Sequence, residues 1–261
     1  MLPDSDKVAR LLAEVAAEEI MPYFAKLGRE DIREKKPGDL VTIADVATER
    51  RLTPLLLDLL PGSHVVGEEA VAADPGVLDA LSGSAPVWLV DPIDGTANFA
   101  SGKPIFAIMV ALVRNGETAM SWIHDPVARR TASAASGEGA WRDGDRLSVA
   151  ASVGSPPRRL GNRRLMRRLG ERASLLDEAF EYRCAGYEYT LLASGGAQFA
   201  LYNRLHPWDH APGHLLHREA GGYSARLDGT PYTPRDATPG LLLAPDEGSW
   251  KTLREALIPA S

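Results

Sequence analysis

Apolar residues recur every three or four positions near the start of the chain. This set comprises Val8, Leu11, Leu12, Val15 and Ile20. Such spacing places the apolar side chains on one face of a helix. The pattern predicts an amphipathic helix over residues 5–27, with Asp4 or Ser5 as its N-cap.

Short apolar runs bounded by turn residues follow, and they predict strands. The predicted strands cover residues 40–43, 64–66, 87–90, 105–113, 118–125, 131–135 and 139–142. Asn115-Gly116 separates two of these runs, and this pair favours a tight hairpin. Asp143-Gly144 and residues 35–38 predict further turns. A helix is predicted from Asp45 toward Leu60, kinked or split by Pro54.

The second half of the chain alternates helix and strand patterns. Helices are predicted near residues 158–170, 187–195, 209–220 and 246–257, strands near 197–202 and 241–244, and a connector at 152–157. Mixed elements in this order predict an α/β or α+β layered sandwich, with mixed sheets and helices between and outside them. We expect one domain over residues 1–261, whose N-terminal half (1–148) and C-terminal half (149–261) enclose a site.

The central predicted strand is followed directly by two acidic residues. Four apolar residues, 87–90, precede Asp91 and Asp94, and Gly95-Thr96 follows where a helix can begin. Carboxylates at the end of a buried strand suit Mg²⁺, which prefers oxygen ligands. Backbone N–H groups at a helix start suit a phosphate group. Metal and phosphate sites side by side predict phosphoryl chemistry.

Two further acidic segments accompany this one. Glu68-Glu69 follows the predicted strand at residues 64–66, and Asp209 follows Trp208 at the start of a predicted helix. Taken singly, the first pair is typical of loop charge and Asp209 is typical of an N-cap. Asp91 and Asp94 differ, because burying carboxylates in an apolar setting is costly without partners.

Composition excludes several classes of protein. The chain is 44% apolar and 25% charged, with a net charge of −6, so we expect no nucleic-acid partner. The basic run over residues 158–168 is typical of a solvated helix face. A single cysteine, Cys184, excludes an internal disulfide and fits a reducing cytoplasm. The sequence shows no signal peptide and no membrane-spanning run, so we expect a cytoplasmic protein that binds no membrane.

Four segments together resemble the inositol monophosphatase family of metal-dependent, lithium-sensitive phosphatases. The resemblance rests on residues 39–45 (DLVTIAD), 67–69 (GEE), 91–96 (DPIDGT), and Trp208-Asp209 with Ala211 and Gly213. It covers nearly the whole chain, in order and in approximate spacing. The resemblance implies a layered fold of the sugar-phosphatase type, a small phosphorylated metabolite as substrate, and a homodimer.

The resemblance also implies a set of metal ligands. Glu68, Asp91 and the carbonyl of Ile93 would bind a first Mg²⁺ ion. Asp91, Asp94 and Asp209 would bind a second, and Glu68 would help hold a weak third ion. Two metal ions can stabilise both the attacking and the leaving oxygen of an in-line displacement.

Catalytic and phosphate-binding roles follow from the same resemblance. Asp45 would hydrogen-bond the hydroxyl of Thr96, and this pair, with Glu68 nearby, would orient and deprotonate the attacking water. Backbone N–H groups of Gly95 and Thr96 would hold the phosphate.

Substrate choice is expected to depend on residues of the second half. These are Arg183, Cys184 and Ala185, together with Tyr202 and Asp209. Inositol-specific members of the family are expected to carry Glu seven residues before the third metal-binding Asp, and Tyr202 stands there instead. The resemblance implies a small phosphate ester, inositol phosphate or a related one. Because this carboxylate is absent, we expect the enzyme to prefer another ester over inositol 1-phosphate or to accept a broad range of esters. Histidinol phosphate, fructose 1,6-bisphosphate and 3′-phosphoadenosine nucleotides are the alternatives.

Several alternatives stay open at this stage. Members of this family often carry a Lys near residues 35–36 that points toward the metal-bound waters, and the sequence leaves open whether Lys35, Lys36 or neither does so. His206 and His210 flank Asp209 as less suitable ligands for Mg²⁺. Aspartyl-phosphate phosphatases place one residue between their two acids, whereas two separate Asp91 from Asp94. An EF-hand counted from Asp91 would need Glu where Gly102 stands. A non-catalytic regulatory member of the family is the remaining alternative of a different class.

Overall fold

The computed structural model describes residues 2–149, 159–160, 179–235 and 238–257. Its helices are α1 (Ser5–Val15), α2 (Ile43–Leu59), α3 (Glu68–Ala73), α4 (Thr96–Ala100), α5 (Ala185–Ala193), α6 (Pro207–Glu219) and α7 (Glu247–Leu257). Its first strands are β1 (Ile32–Lys36), β2 (Asp39–Thr42), β3 (His64–Gly67), β4 (Val87–Asp94), β5 (Ala107–Arg114), β6 (Glu117–Asp125), β7 (Arg130–Ala135), β8 (Gly139–Arg142) and β9 (Asp145–Arg146). The later strands are β10 (Arg159–Leu160), β11 (Ala179–Phe180), β12 (Phe199–Tyr202), β13 (Tyr223–Arg226) and β14 (Leu241–Ala244).

Strands β3 to β9 form one sheet in sequence order. The pair β3–β4 is parallel, and the other neighbours are antiparallel. A second mixed sheet has the order β11-β10-β12-β14-β13, and β1 and β2 form a separate hairpin. These mixed sheets with packed helices confirm the predicted layered α+β class.

Strand β4 is buried on both faces of the larger sheet. Trp88 and Val90 pack in a core with residues of α1 and α2. Val87 and Leu89 point to the opposite core, which contains residues of α5 and α6. Because alternate side chains enter different cores, the strand has a continuous apolar run rather than an alternating one.

The predicted helix around Pro54 forms, and Pro54 does not split it. The helix runs without interruption from Ile43 to Leu59 and contains Pro54. Proline removes one backbone hydrogen bond and costs about 3 kcal/mol in a helix interior. Leu52 and Leu56 are both fully buried beside it. Burying two leucines contributes about 3–6 kcal/mol, so packing holds the helix together.

Residues 35–38 correct one expectation. Lys35 and Lys36 belong to strand β1, which pairs with β2, and only Pro37-Gly38 form the turn. Gly38 has φ +82°, which the tight turn requires and which glycine adopts without strain. The lysine pair is therefore held in extended backbone, where neighbouring side chains point to opposite faces.

The second half departs from prediction at its small strands. Arg159–Leu160 form a strand parallel to β12 where a helix over 158–170 is predicted. The rest of that segment, with most of the basic run and the connector at 152–157, lies outside the described residues. Strand β13 was not predicted, because Tyr223–Arg226 has no apolar run. Among described residues, no helix has both the length and the apolar character needed to cross a membrane.

Candidate metal and phosphate site

The turn between β4 and α4 brings two acids to the end of a buried strand. The pairing of β4 with β5 shifts between Asp91 and Asp94, so the strand is irregular at this point. Gly95 then caps α4 with φ +87°. A Cβ at Gly95 would lie 3.0 Å from the carbonyl oxygen of Ile105. Both the backbone conformation and the space therefore require glycine here.

Three acids from three elements meet at this turn. Carboxylate oxygens of Glu68 on α3, Asp91 on β4 and Asp209 on α6 lie within 4.8 Å of one another. Burial, followed by the charge of Glu68, raises the pKa of both Asp91 and Asp209 well above the ordinary value. Such a group of like charges favours the binding of a cation.

Asp91 gives the most specific indication of a metal. The residue is 2% exposed, and its Oδ1 atom has no hydrogen-bond partner among the described residues. A buried carboxylate oxygen without a partner is costly. An oxygen-binding cation such as Mg²⁺ would satisfy it, so the donor set fits the ion that the sequence predicts.

The predicted ligand Asp94 lies beside this group rather than within it. Its Oδ2 atom accepts hydrogen bonds from the backbone N–H of Gly186 at 2.6 Å and from Sγ of Cys184 at 3.0 Å. Its charge still raises the pKa of Asp91 and Asp209. The start of α5 thus orients Asp94, and Cys184 is a buried structural donor to it.

Asp45 and Thr96 contact each other as the resemblance implies. Oδ1 of Asp45 lies 3.1 Å from the hydroxyl oxygen of Thr96, and that hydroxyl lies 2.9 Å from the carbonyl oxygen of Ile93. Oδ2 of Asp45 accepts from the backbone and side chain of Thr42. Burial raises the pKa of Asp45 to about 7, against the opposing hydrogen bonds from Thr42. A carboxyl group with this pKa can accept a proton near neutral pH.

Lys35 reaches the acidic cluster, which settles the choice between the two lysines. Its Nζ atom lies 2.7 Å from Oε1 of Glu68 and 2.9 Å from Oε1 of Glu69. The neighbouring Lys36 is exposed. Burial disfavours charge on Lys35, but Glu68 and Glu69 outweigh this effect and raise its pKa above the ordinary value.

Glu49 is a buried acid that sequence reasoning missed. Its two carboxylate oxygens accept from the backbone N–H groups of Glu69 and Ala70, each at 2.8 Å. These contacts cap α3, the helix that begins with Glu68. Its position four residues after Asp45, on the same face of α2, was the signal that could have revealed it.

We expect Glu49→Gln to destabilise the protein by about 1–3 kcal/mol, because the amide nitrogen of Gln faces a backbone donor. Because the substitution would also displace Glu68 from the acidic cluster, the rise in Tm expected on adding Mg²⁺ should be smaller than in wild type. Urea unfolding and thermal melts measure both effects. Glu14→Gln, at an exposed position on α1, is the matched control. Equal stability of the two variants would contradict the capping role of Glu49.

The C-terminal half forms an aromatic and acidic wall next to Asp94. The hydroxyl of Tyr202 donates to Oε2 of Glu188 at 2.9 Å, and the backbone N–H of Tyr182 donates to Oε1 at 3.2 Å. Burial raises the pKa of Glu188 to about 7, although both hydrogen bonds oppose the shift. Sequence reasoning did not identify Glu188, because a lone acid within a helical pattern gives no signal of burial.

The segment before α5 contains the other predicted substrate residues. Arg183 is exposed and has φ +56°, whereas Cys184 is buried. Ala185 supplies a backbone hydrogen bond to Asp94. Nδ2 of Asn98 donates to the carbonyl oxygen of Tyr182 at 2.8 Å and so ties this segment to α4. The sequence analysis assigned no role to Asn98.

The histidines around Asp209 do not join the acidic cluster. His206 is exposed and stacks on Trp208, with ring centroids 5.1 Å apart. His210 is 3% exposed, and its Nδ1 atom lies 3.0 Å from the hydroxyl of Tyr189. Within the described residues, the group with metal-ligand geometry contains only carboxylates.

Fold and site together define a class of protein. A carboxylate cluster, the hydrogen-bonded Asp45–Thr96 pair and the start of α4 converge at one turn. This arrangement suits cation-dependent chemistry on a phosphate group.

Comparisons with known proteins give the family. The model of the inositol monophosphatase family matches residues 2–261, so the chain belongs to this family. A curated relative from Aquifex aeolicus, named fructose-1,6-bisphosphatase/inositol-1-monophosphatase, is 30% identical over 246 residues, which are 90% of this chain and 89% of the relative. The chain is accordingly a phosphoric monoester hydrolase.

Two further comparisons bear on fold and function. A solved structure named as an IMPase of Thermotoga maritima has a TM-score of 0.80 at 24% identity, covers 97% of each chain, and shows the same fold. A relative from Pseudomonas aeruginosa named Nus factor SuhB is 30% identical over 236 residues, 85% of each chain. The chain is therefore also similar to a protein that is named as a Nus factor and not as a phosphatase.

Proposed function

We propose that the chain hydrolyses a small phosphate ester by a Mg²⁺-dependent mechanism in which water is the nucleophile. The observation that carries this proposal is the buried Oδ1 atom of Asp91, which lacks a protein partner inside the carboxylate cluster. Membership of a phosphatase family supports the same chemistry. Location in the cytoplasm and assembly as a homodimer remain predictions.

Each acid has a proposed role toward the metal. Glu68, Asp91 and the Ile93 carbonyl would hold one Mg²⁺, while Asp91, Asp94 and Asp209 would hold a second. Glu68 would contribute to a weak third. When bound, Mg²⁺ neutralises the cluster and provides Lewis acidity toward phosphate and water.

The remaining steps belong to residues around the turn. The Thr96 hydroxyl orients the attacking water, and Asp45 accepts the proton relayed through it. The pKa of Asp45, about 7, fits that role. Backbone N–H groups of Gly95 and Thr96 would bind phosphate oxygens, and the segment of Arg183, Cys184 and Ala185 would contact the leaving alcohol. Lys35 keeps Glu68 oriented through their 2.7 Å ion pair.

Metal dependence tests this function directly. We expect hydrolysis of p-nitrophenyl phosphate to require Mg²⁺, to stop when EDTA removes the ion, and to fall in millimolar Li⁺ as the family resemblance implies. A carboxylate site should also bind Mg²⁺ with a measurable rise in Tm. Turnover that needs Zn²⁺ and ignores Mg²⁺ would instead point to His206 or His210 as ligands.

The identity of the physiological ester is a separate question from the type of reaction. The names of the Aquifex relative favour inositol 1-phosphate or fructose 1,6-bisphosphate, whereas Tyr202 disfavours the inositol ester. Histidinol phosphate and 3′-phosphoadenosine nucleotides complete the panel to be assayed. A regulatory role without catalysis is the second candidate, favoured by the name of the Pseudomonas relative. Absence of turnover on every ester, with Mg²⁺ binding intact, would support it.

A further inference from the structure

The carboxylate of Asp94 caps a helix from a distant part of the chain. Helix α5 begins at Ala185, and its N-cap residue, Cys184, makes no side-chain hydrogen bond to the backbone of that helix. The backbone N–H of Gly186 donates instead to Oδ2 of Asp94 at 2.6 Å, and the N–H of Ala185 also bonds this carboxylate. The first N–H groups of a helix have no partner within it, so Asp94 satisfies two of the free donors of α5.

The thiol of Cys184 turns toward the same carboxylate. Its Sγ atom lies 3.0 Å from Oδ2 of Asp94 and 3.6 Å from the carbonyl oxygen of that residue, so the side-chain oxygen is the nearer acceptor. Cys184 is 2% exposed, which shields the contact from solvent. A thiol is a weak donor, and the charge of a carboxylate strengthens the bond that it accepts. The contact therefore orients Asp94 as well as satisfying the thiol.

Two donors on one oxygen decide which part of Asp94 is left for a cation. A carboxylate oxygen accepts through two lone pairs, and the bonds from Gly186 and Cys184 use both of those on Oδ2. The acid can then offer a metal ion its other oxygen, Oδ1. Loss of the thiol would free one lone pair of Oδ2 and leave the backbone of α5 as the remaining restraint from this segment.

The position of the thiol is fixed by contacts other than Asp94. A Cβ at Gly95 would lie 3.2 Å from Cβ of Cys184, so Cys184 packs closely against the turn before α4. Nδ2 of Asn98 donates to the carbonyl oxygen of Tyr182 at 2.8 Å and holds the segment that precedes the thiol. The thiol is thus a fixed donor to which the carboxylate adjusts.

We infer that Cys184 is a positioning residue for the second Mg²⁺ ion: its S–H group holds the carboxylate of Asp94 so that Oδ1 is the oxygen offered to the ion. This inference rests on the proposed function, in which Asp94 helps to hold that ion. Removing a side chain that bonds a metal ligand lowers metal affinity by about 10–100-fold. Because a thiol is a weak donor, we expect the lower end of this range.

Two variants at this position separate the hydrogen bond from packing. Cys184→Ala removes the sulfur and the donor, whereas Cys184→Ser removes the sulfur and keeps a donor. In calorimetric titrations without substrate, we expect Cys184→Ala to bind the second Mg²⁺ about tenfold more weakly and Cys184→Ser to stay within about threefold of wild type. Thr190→Val is the control, because the hydroxyl that it removes bonds the carbonyl of Gly186 at 2.8 Å and not Asp94. It should keep the affinity of wild type.

The Mg²⁺ dependence of turnover gives a second measurement. In Cys184→Ala, the Mg²⁺ concentration for half-maximal hydrolysis of p-nitrophenyl phosphate should rise about tenfold. The kcat at saturating Mg²⁺ should stay near that of wild type, because the thiol acts through Asp94 and touches no reacting atom. A kcat that stays low at every Mg²⁺ concentration would overturn the inference, since the thiol would then act on the chemistry or on the fold.

Raman spectra test the bond in the wild-type chain and so do not depend on how a variant folds. Cys184 is the only cysteine, so the protein has a single S–H stretching band. Donation to a carboxylate weakens the S–H bond, and the band should lie below that of an alkyl thiol in a non-polar solvent. It should stay there when Mg²⁺ is added, because the ion binds Oδ1. A band at the frequency of the free thiol, or one that vanishes with Mg²⁺, would contradict the proposed contact.

The affinities decide between positioning and packing. Equal Mg²⁺ affinity in wild type and Cys184→Ala would overturn the inference, as would an equal loss in Cys184→Ala and Cys184→Ser. Failure of the proposed function looks different, because wild type would then bind no Mg²⁺ and hydrolyse no p-nitrophenyl phosphate while the S–H band still reported the bond to Asp94. The inference would fall with the function in that case.

Discussion

Asp91→Asn should reduce kcat/KM by at least about a hundredfold while the protein stays folded. Asp91 is the acid proposed to contact both metal ions, and its buried Oδ1 has no protein partner in the described structure. Asn is close in shape but lacks the charge that holds a cation. The folded state should lose no stability, because burial and neighbouring acids already disfavour the ionised form of Asp91.

The measurement combines steady-state kinetics with thermal melts in the presence and absence of Mg²⁺. Wild type should gain Tm with Mg²⁺, and Asp91→Asn should not. Asp58→Asn, an exposed acid on α2, serves as the matched control and should behave as wild type. Full activity in Asp91→Asn would remove the basis for the metal assignment.

His214→Phe should reduce the loss of stability in acid by about 1.4 kcal/mol per pH unit below pH 6.5. Three histidines of α6 are buried: His210, His214 and His217. Burial lowers the pKa of His210 and His214 to about 3 and that of His217 to about 4. Their unfolded value is near 6.5. The unfolded chain therefore binds protons that the folded chain does not.

The direction in which stability changes with pH follows from this difference in bound protons. The stability from neutral, buried histidines is fully present above pH about 6.5 and is lost as pH falls toward 3–4. For His214 alone the loss between pH 6.5 and 5 is about 2 kcal/mol. Phe cannot be protonated and can retain the ring contact with Tyr232, whose centroid lies 4.8 Å away.

Urea unfolding at several pH values measures how steeply the free energy of unfolding changes with pH. Buried carboxylates act in the opposite direction, but they contribute equally to wild type and variant, so the difference isolates His214. His64→Gln, at an exposed position, should leave the slope unchanged. Identical slopes for wild type and His214→Phe would show that His214 does not resist protonation in the folded protein.

Local pattern was sufficient for most of the fold. The hairpin at Asn115-Gly116 forms as predicted, with positive φ at both residues. Strand β14 has the predicted bounds, Leu241–Ala244, because a short apolar run fully buried in a sheet leaves little ambiguity. Packing outweighs the local preference at Pro54, which does not split α2. Pattern failed where a strand lacked apolar residues, as at β13.

The candidate site was likewise predicted only in part from the sequence. Glu68, Asp91 and Asp209 were chosen from motifs, and the structure brings their oxygens within 4.8 Å although the first and the last are 141 positions apart (209 − 68). The placement of Asp94 against Gly186 and Cys184 required the structure, because it depends on how α5 packs against the β4 turn.

By itself, the sequence determined the layered α+β fold, the family and the acids at the end of β4, because these follow from short-range patterns and contiguous motifs. Only the tertiary structure decided that Lys35 rather than Lys36 faces Glu68, that Glu49 caps α3, and that Glu188 accepts a hydrogen bond from the hydroxyl of Tyr202. Each of these contacts joins residues 14 or more positions apart. No local preference specifies such a pair, since it forms only when separate elements pack and leave one acceptor facing one donor.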